Sequence, residues 1–479
     1  MRKEVYSKNF PDYSNFNTST VTLGALDMSA CILYLNCSRE SYKRDYDIFC
    51  SAMISQGYLR TFFHELTHYF QINTTPNGKY IVDLEDFQIV QVQQIIQTIG
   101  NIKYPIISDM IKNHTIESNE RAWYHLRKWY AAELLKSAFN CDFKRYKYLS
   151  YNTVFSEEKL SDIFCEIDAE MSRLFEMKLV KRKLTNEGIE MSQDLEYAIK
   201  NEASPFENHA RIAEFWWEPK NKVNPYRSGN EDLFQYSGLI EAFSKRVHID
   251  DFQDFVSSFL AICELAQFSP LLPGMDCAAE VSIYDYIPIY RIARLIDIAK
   301  EISPVRGIND YNRYVNELAN KANYTPVAEV CECILKNRVQ LPGKSFWVDL
   351  FYDAIQIRSN DFSTFSYYGL WHPLALNVEP IAKSFTQRFC PPLICYNDCN
   401  YSRTNSPNAF PDEAFSIVIR NIFRKYVSAI MTGWERTENG KLLIPCPVIA
   451  NAFEKQYIES QVNSLIEKRL YLHSNLKII

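Results

Sequence analysis

Apolar side chains recur at helical spacing along most of this chain, and only two short runs near its start have the character of strands. Residues 20–23 and 30–36 predict two strands separated by a loop. Residues 1–20, rich in Tyr, Asn and Ser, predict an irregular arm. Further on, apolar positions three and four apart predict helices over 83–99, 120–139, 156–180, 190–203, 206–217, 249–266, 283–302 and 452–470. Gly100 closes the first of these, and Pro- and Gly-bearing runs at 269–274, 303–307 and 341–343 punctuate the rest. The pattern predicts an α+β, predominantly helical fold. It divides into an arm over 1–20, a first domain over 21–302 that holds a small sheet, and a mostly helical accessory domain over 303–479.

One segment departs from the simple apolar stripe. Between Gly57 and Gln71, Tyr58, Leu59, Phe62, Leu66, Tyr69 and Phe70 fall on one side of a helical wheel. Gly57, Arg60, Thr61, His64, His68 and Gln71 fall on the other, so both histidines are turned away from the greasy face. His64-Glu65-Leu66-Thr67-His68 is a His-Glu-x-x-His motif, in which imidazoles one turn apart can grip one Zn²⁺ at about 2.0–2.1 Å, with the Glu beside the metal-bound water. The helix is expected to begin near Asp45 or Ser51. Gly57 is read as clearing space one layer below His64, and Thr74-Thr75-Pro76-Asn77-Gly78 as the turn that ends the helix.

Composition narrows the rest. The 479 residues are 47% hydrophobic and 23% charged, as in ordinary globular proteins, and the net charge of −6 gives no electrostatic footprint for nucleic acid or an anionic membrane. No apolar run approaches the roughly 18 residues of a membrane span. Thirteen scattered cysteines and a start without an apolar leader predict a reducing, cytoplasmic setting with free thiols. His372, Cys390, Cys395 and Cys399, with Cys446 later, are a candidate second metal site, although the thiol spacing matches no common zinc knuckle. Nucleotide-binding glycine loops and the serine-hydrolase elbow are absent.

The motif on its amphipathic helix resembles the zincin metallopeptidases, gluzincins in particular. Tyr69-Phe70-Gln71 and the run from Thr74 to Gly78 resemble uncharacterised bacterial proteins that carry the same motif. The resemblance covers the helix, its exit and a stretch near 205–275. It implies that a strand before the motif helix borders the cleft and pairs with extended substrate, and that a carboxylate on a later helix completes the zinc site. Glu207 is the leading candidate. On its wheel Glu207, Ala210, Arg211 and Glu214 share a face, and Ala210 lets the helix approach closely, although Arg211 stands where many gluzincins carry an acid. Glu241, in a Gly-Leu-Ile-Glu-Ala-Phe-Ser run, and Glu166, in a charged stripe with Asp162, Glu170 and Arg173, are the alternatives.

The expected activity is zinc-dependent hydrolysis of peptide bonds in a protein or peptide substrate. Glu65 is the general base, and Tyr69, Arg211 or His248 steadies the oxyanion. The alternative is a catalytically silent zincin-like interaction or regulatory protein, such as a defence or toxin effector. The sequence names neither the substrate nor the oligomeric state.

Overall fold

The structure is a computed structural model that describes residues 24–27, 32–52, 57–140, 158–180, 182–188, 190–200, 203–214, 234–270, 272–273, 275, 281–306, 308–338, 346–362, 393–397, 401–403, 411–433, 437–438, 441–444, 452–472 and 476–478. These residues are predominantly helical, as the periodicity predicts. The arm over 1–20, the run over 20–23, and His372, Cys390, Cys399 and Cys446 lie outside the described residues.

Three small sheets accompany the helices. The largest places β1 (Gly24–Asp27), β2 (Ile32–Leu35), β5 (Leu393–Tyr396) and β6 (Tyr401–Arg403) in that order. β1 and β2 run antiparallel, β2 and β5 parallel, and β5 and β6 antiparallel. The pleat turns successive side chains to opposite faces, so Leu33 and Leu35 enter one apolar core while Tyr34 enters a second. In β5, Ile394 and Tyr396 join the first core and Cys395 the second. The sheet is therefore a partition between two interiors. Residues 184–185 and 281–282 form a two-stranded parallel pair (β3 and β4), and 437–438, 441–444 and 476–478 a third sheet (β7 to β9).

Among the described residues the first part of the chain holds α1 (Arg39–Ala52), α2 (Gly57–Thr74), α3 (Pro76–Ile99), α4 (Ile106–Asn113) and α5 (Glu120–Phe139). α3 spans both cores, giving Tyr80, Leu84 and Phe87 to the first and Val92, Ile95 and Ile96 to the second. Next come α6 (Leu160–Leu174), α7 (Gln193–Lys200), α8 (Pro205–Glu214), α9 (Phe234–Arg246), α10 (Phe252–Gln267) and α11 (Pro288–Ala299). Pro288 is the first residue of α11, where its missing N–H costs nothing, so that helix starts later than position 283. α12 (Ile308–Lys321), α13 (Val327–Lys336) and α14 (Phe346–Asn360) extend the first core, to which Val305, Tyr311, Tyr314 and Leu350 belong alongside Leu33 and Phe62. α15 (Pro411–Thr432) and α16 (Ala452–Leu470) build the second core, α16 through Ile458, Val462, Ile466 and Leu470 at helical spacing.

Both ends of the motif helix differ from expectation. The chain does not run helical from Asp45 or Ser51 into the motif. α1 ends at Ala52 and α2 starts afresh at Gly57. Gly57 has a φ of 54°, and a Cβ there would meet the Asp45 carboxylate, whose Oδ2 accepts from the Tyr58 N–H at 3.0 Å. The glycine is exposed and serves the helix start, not a cleft floor. At the other end the expected turn is a single residue. Thr75 is the N-cap of α3, its side chain accepting from the Gly78 N–H, and Pro76 is the first residue of that helix. Gly78 faces the Gln71 and Ile72 carbonyls so closely that any Cβ would collide with them.

Candidate metal centre

The apolar side of α2 sets its orientation. Leu59, Phe62, Phe63, Leu66, Tyr69 and Phe70 are all buried in the first core, and the burial of each large side chain stabilises the docked helix by about 1.5–3 kcal/mol. That fixes where the opposite face points, and α8 packs against it. α8 carries its own polar stripe. Ser204 at its start accepts from the Glu207 N–H at 3.3 Å. Ala210 is fully buried, which allows the two helices a close approach. Asn208, also fully buried, accepts from the Leu239 and Ile240 N–H groups of α9 at 2.9 and 3.2 Å and so locks α8 in place.

The consequence is a triangle of potential ligands. His64 Nε2 lies 3.0 Å from Glu207 Oε2, His68 Nε2 lies 3.4 Å from the same oxygen, and the two Nε2 atoms are 3.2 Å apart. A tetrahedral zinc with bonds of about 2.0–2.1 Å keeps its ligands about 3.3 Å apart. Among the described residues, His64, His68 and Glu207 are the one group of His, Cys, Asp or Glu side chains able to hold a metal ion.

Hydrogen bonding on the far side of each ring fixes the tautomers. His64 Nδ1 lies 2.7 Å from Glu214 Oε1, a carboxylate oxygen that only accepts, so Nδ1 donates. Gln71 Nε2 donates to the Phe206 carbonyl at 3.1 Å, which turns Gln71 Oε1 toward His68 Nδ1 at 2.7 Å, so this Nδ1 donates too. The two Nε2 atoms therefore face the same carboxylate oxygen and each other. With both Nε2 atoms deprotonated, two imidazole lone pairs and a carboxylate oxygen converge on one point, a donor set suited to a cation. The donor set, two imidazoles and one carboxylate with both rings backed by acceptors, fits Zn²⁺.

The protonation energetics agree. Burial works against charging His64 and His68, yet Glu207 and Glu214 hold the His64 pKa well above 6.5, and Glu207 raises that of His68. Burial works against ionising Glu207, but the two imidazoles overcome it and hold its carboxyl far below the usual range. A proton takes the place the cation would fill. Glu65 is 7% exposed; burial raises its pKa and the two imidazoles partly offset this. Glu65 thus combines burial, an elevated proton affinity and closeness to both imidazoles.

The other residues singled out from sequence are distributed as follows. Glu166 accepts from Arg127 at 2.7 Å and pairs with the buried Lys128, and Glu241 pairs with Lys245 at 2.9 Å on a largely exposed surface. Neither joins the histidines. Tyr69 is 1% exposed inside the first core and rests against the Phe70 ring, on the face of α2 opposite His64. His248 is exposed in the segment after α9. Arg211 does approach the centre, donating to Glu214 Oε2 at 2.6 Å. Cys395 is buried in β5. Of the two strands expected to border the cleft, 30–36 becomes β2, which lies between β1 and β5 and is not an edge strand, and 20–23 lies outside the described residues. β1 is an outer strand of the described sheet and contacts α2.

Two groups escaped the sequence reading. Gln71 appeared on the polar side of the wheel without a role, and its place three residues after His68 was the available signal. Asn208 gave no signal, because its partners lie 31 and 32 residues away.

No protein-family profile, no curated protein and no solved structure matches the chain. Among the described residues, no helix is long and apolar enough to cross a membrane.

Proposed function

We propose that this chain is a zinc metallopeptidase, with His64, His68 and Glu207 as metal ligands and Glu65 as the general base. The observation that carries the reading is the convergence of two Nε2 atoms and a carboxylate oxygen beside a buried glutamate. Zinc bound there supplies Lewis acidity, polarising a carbonyl and making water a nucleophile near neutral pH. Glu65 takes the proton from the attacking water and returns it to the leaving amine. Glu214 and Gln71 hold the rings in the tautomer that leaves each Nε2 without a proton. Tyr69, buried on the opposite face of α2, is poorly placed for the oxyanion, and Arg211, bonded to Glu214, is the better candidate. β1, as an outer strand against α2, is suited to pair with an extended peptide.

The test is Glu65→Gln. Zinc content should stay at the wild-type level while cleavage of a peptide library falls by about 10²–10⁴-fold. A Glu65→Gln protein that cleaves at the wild-type rate removes the mechanism. Zinc without cleavage by the wild-type protein favours a silent interaction protein instead.

A further inference from the structure

Gln71 is bonded to both helices that build the metal centre. Its Oε1 accepts from His68 Nδ1 at 2.7 Å on α2, and its Nε2 donates to the Phe206 carbonyl of α8 at 3.1 Å. Phe206 immediately precedes Glu207, so one side chain joins the ring of one candidate ligand to the backbone beside another. Gln71 is 1% exposed, which keeps solvent from competing for either bond.

The backbone of Gln71 is held as well. It lies in the last turn of α2, where carbonyls lack partners within the helix. The Thr75 hydroxyl donates to the Gln71 carbonyl at 2.5 Å and accepts from the Gly78 N–H at 3.0 Å. Gly78 is packed against that carbonyl so closely that a Cβ would stand 2.3 Å from it. The first turn of α3 thus supports Gln71 from behind, while the Asn208 bonds to the Leu239 and Ile240 N–H groups hold α8 on its other side.

The span of this brace bears on the cation. Glu207 Oε2 lies 3.4 Å from His68 Nε2 and 3.0 Å from His64 Nε2, near the ligand separation that tetrahedral zinc imposes. A larger divalent cation makes longer bonds and needs these atoms further apart, which requires α8 to withdraw from α2. The Gln71–Phe206 bond opposes that withdrawal.

We infer that Gln71 is a positioning residue that clamps α2 to α8 and sets the separation of His68 and Glu207, so that the centre prefers zinc to a larger divalent cation. The inference rests on the metal site of the proposed peptidase, and it concerns which cation is held, not whether peptides are cut.

The experiment measures dissociation constants for Zn²⁺ and Cd²⁺ on the full chain by competition with a chromogenic chelator and reads their ratio. A change in the basicity of His68 acts on both cations and largely cancels in that ratio. Gln71→Glu keeps an acceptor for His68 Nδ1 but sets an oxygen against the Phe206 carbonyl, and Gln71→Met keeps the length while removing both bonds. In each variant the preference for zinc should fall at least about tenfold, with the helical circular dichroism unchanged. Thr75→Val should lower it by about two- to threefold, and Thr75→Ser, which keeps the hydroxyl, should hold the wild-type ratio. The Thr75 pair decides the matter if the Gln71 variants lose their helical signal. A ratio within about twofold of wild type in both folded Gln71 variants, or equal ratios in Thr75→Val and Thr75→Ser, overturns the clamp. Absence of zinc from the wild type removes the metal centre and the clamp with it. A wild-type chain that holds zinc and shows the predicted ratios without cleaving peptides counts against the peptidase reading alone.

Discussion

Arg358 and Glu264 form one buried ionic cluster, His64, His68 and Glu207 another, and the two close in opposite ways. In the first, the Arg358 and Glu264 side chains are 1% and 4% exposed and lie 3.3 Å apart. Arg358 also donates to the Thr74 carbonyl and hydroxyl at 3.0 and 2.9 Å, and Tyr311 donates to the other Glu264 oxygen at 2.7 Å. Every charge there meets its opposite, and the Arg caps the last turn of the motif helix, where carbonyls lack helical partners. In the second cluster, two imidazole nitrogens and a carboxylate oxygen converge, and they balance only with a proton or a cation between them. The contrast separates a structural ion pair from a group of side chains able to hold a metal ion. Burial is common to both, and what differs is whether donors and acceptors balance.

The comparison can be broken at the structural end first. Arg358→Ala strands Glu264 in the core and is expected to cost about 3–5 kcal/mol in urea unfolding. The same cost should appear with and without added zinc, because the cluster is already balanced. A penalty that vanishes on zinc addition would show that the two clusters are not independent.

At the other end, the partners of the rings should control affinity without reshaping the fold. Glu214→Gln and Gln71→Ala are each expected to weaken zinc binding about 10–100-fold in competition with a chromogenic chelator. Glu214→Gln should do more than Gln71→Ala, since it removes an anion from an imidazole and a partner from Arg211. Wild-type affinity in both variants would mean the tautomers are set elsewhere.

The smallest effect sharpens the choice of third ligand. Glu166→Gln and Glu241→Gln should both leave zinc affinity unchanged. Glu241→Gln should shift stability by no more than about 1 kcal/mol because its ion pair is largely exposed, and Glu166→Gln by more because it takes a partner from the buried Lys128. A loss of zinc in either variant would reopen the assignment of Glu207.

What the sequence revealed follows from how local each interaction is. The histidines and their facing direction were legible because four-residue spacing on an amphipathic helix is a local fact. Glu207 was separable from Glu241 and Glu166 through its neighbours, since Ala210 marks a close helix contact and the charges around Glu166 mark a surface network. The helix start was misread because Gly57 was taken for a gap below His64, when its positive φ bends the chain around Asp45. Pro76 was read as a terminator, yet proline stops one helix and begins the next equally well. Arg358 bonding to Thr74 across 284 positions leaves no periodic trace. The parallel pairing of Ile32 with Leu393 leaves none either.

The central claim is that two imidazoles and the Glu207 carboxylate await a cation. The most direct measurement is zinc stoichiometry by elemental analysis after stripping with chelator and refilling, comparing the wild-type chain with Glu207→Ala. The account predicts one zinc per wild-type chain and a large loss in the variant that keeps its helical circular dichroism. Equal zinc in both proteins, or none in the wild type, would contradict it.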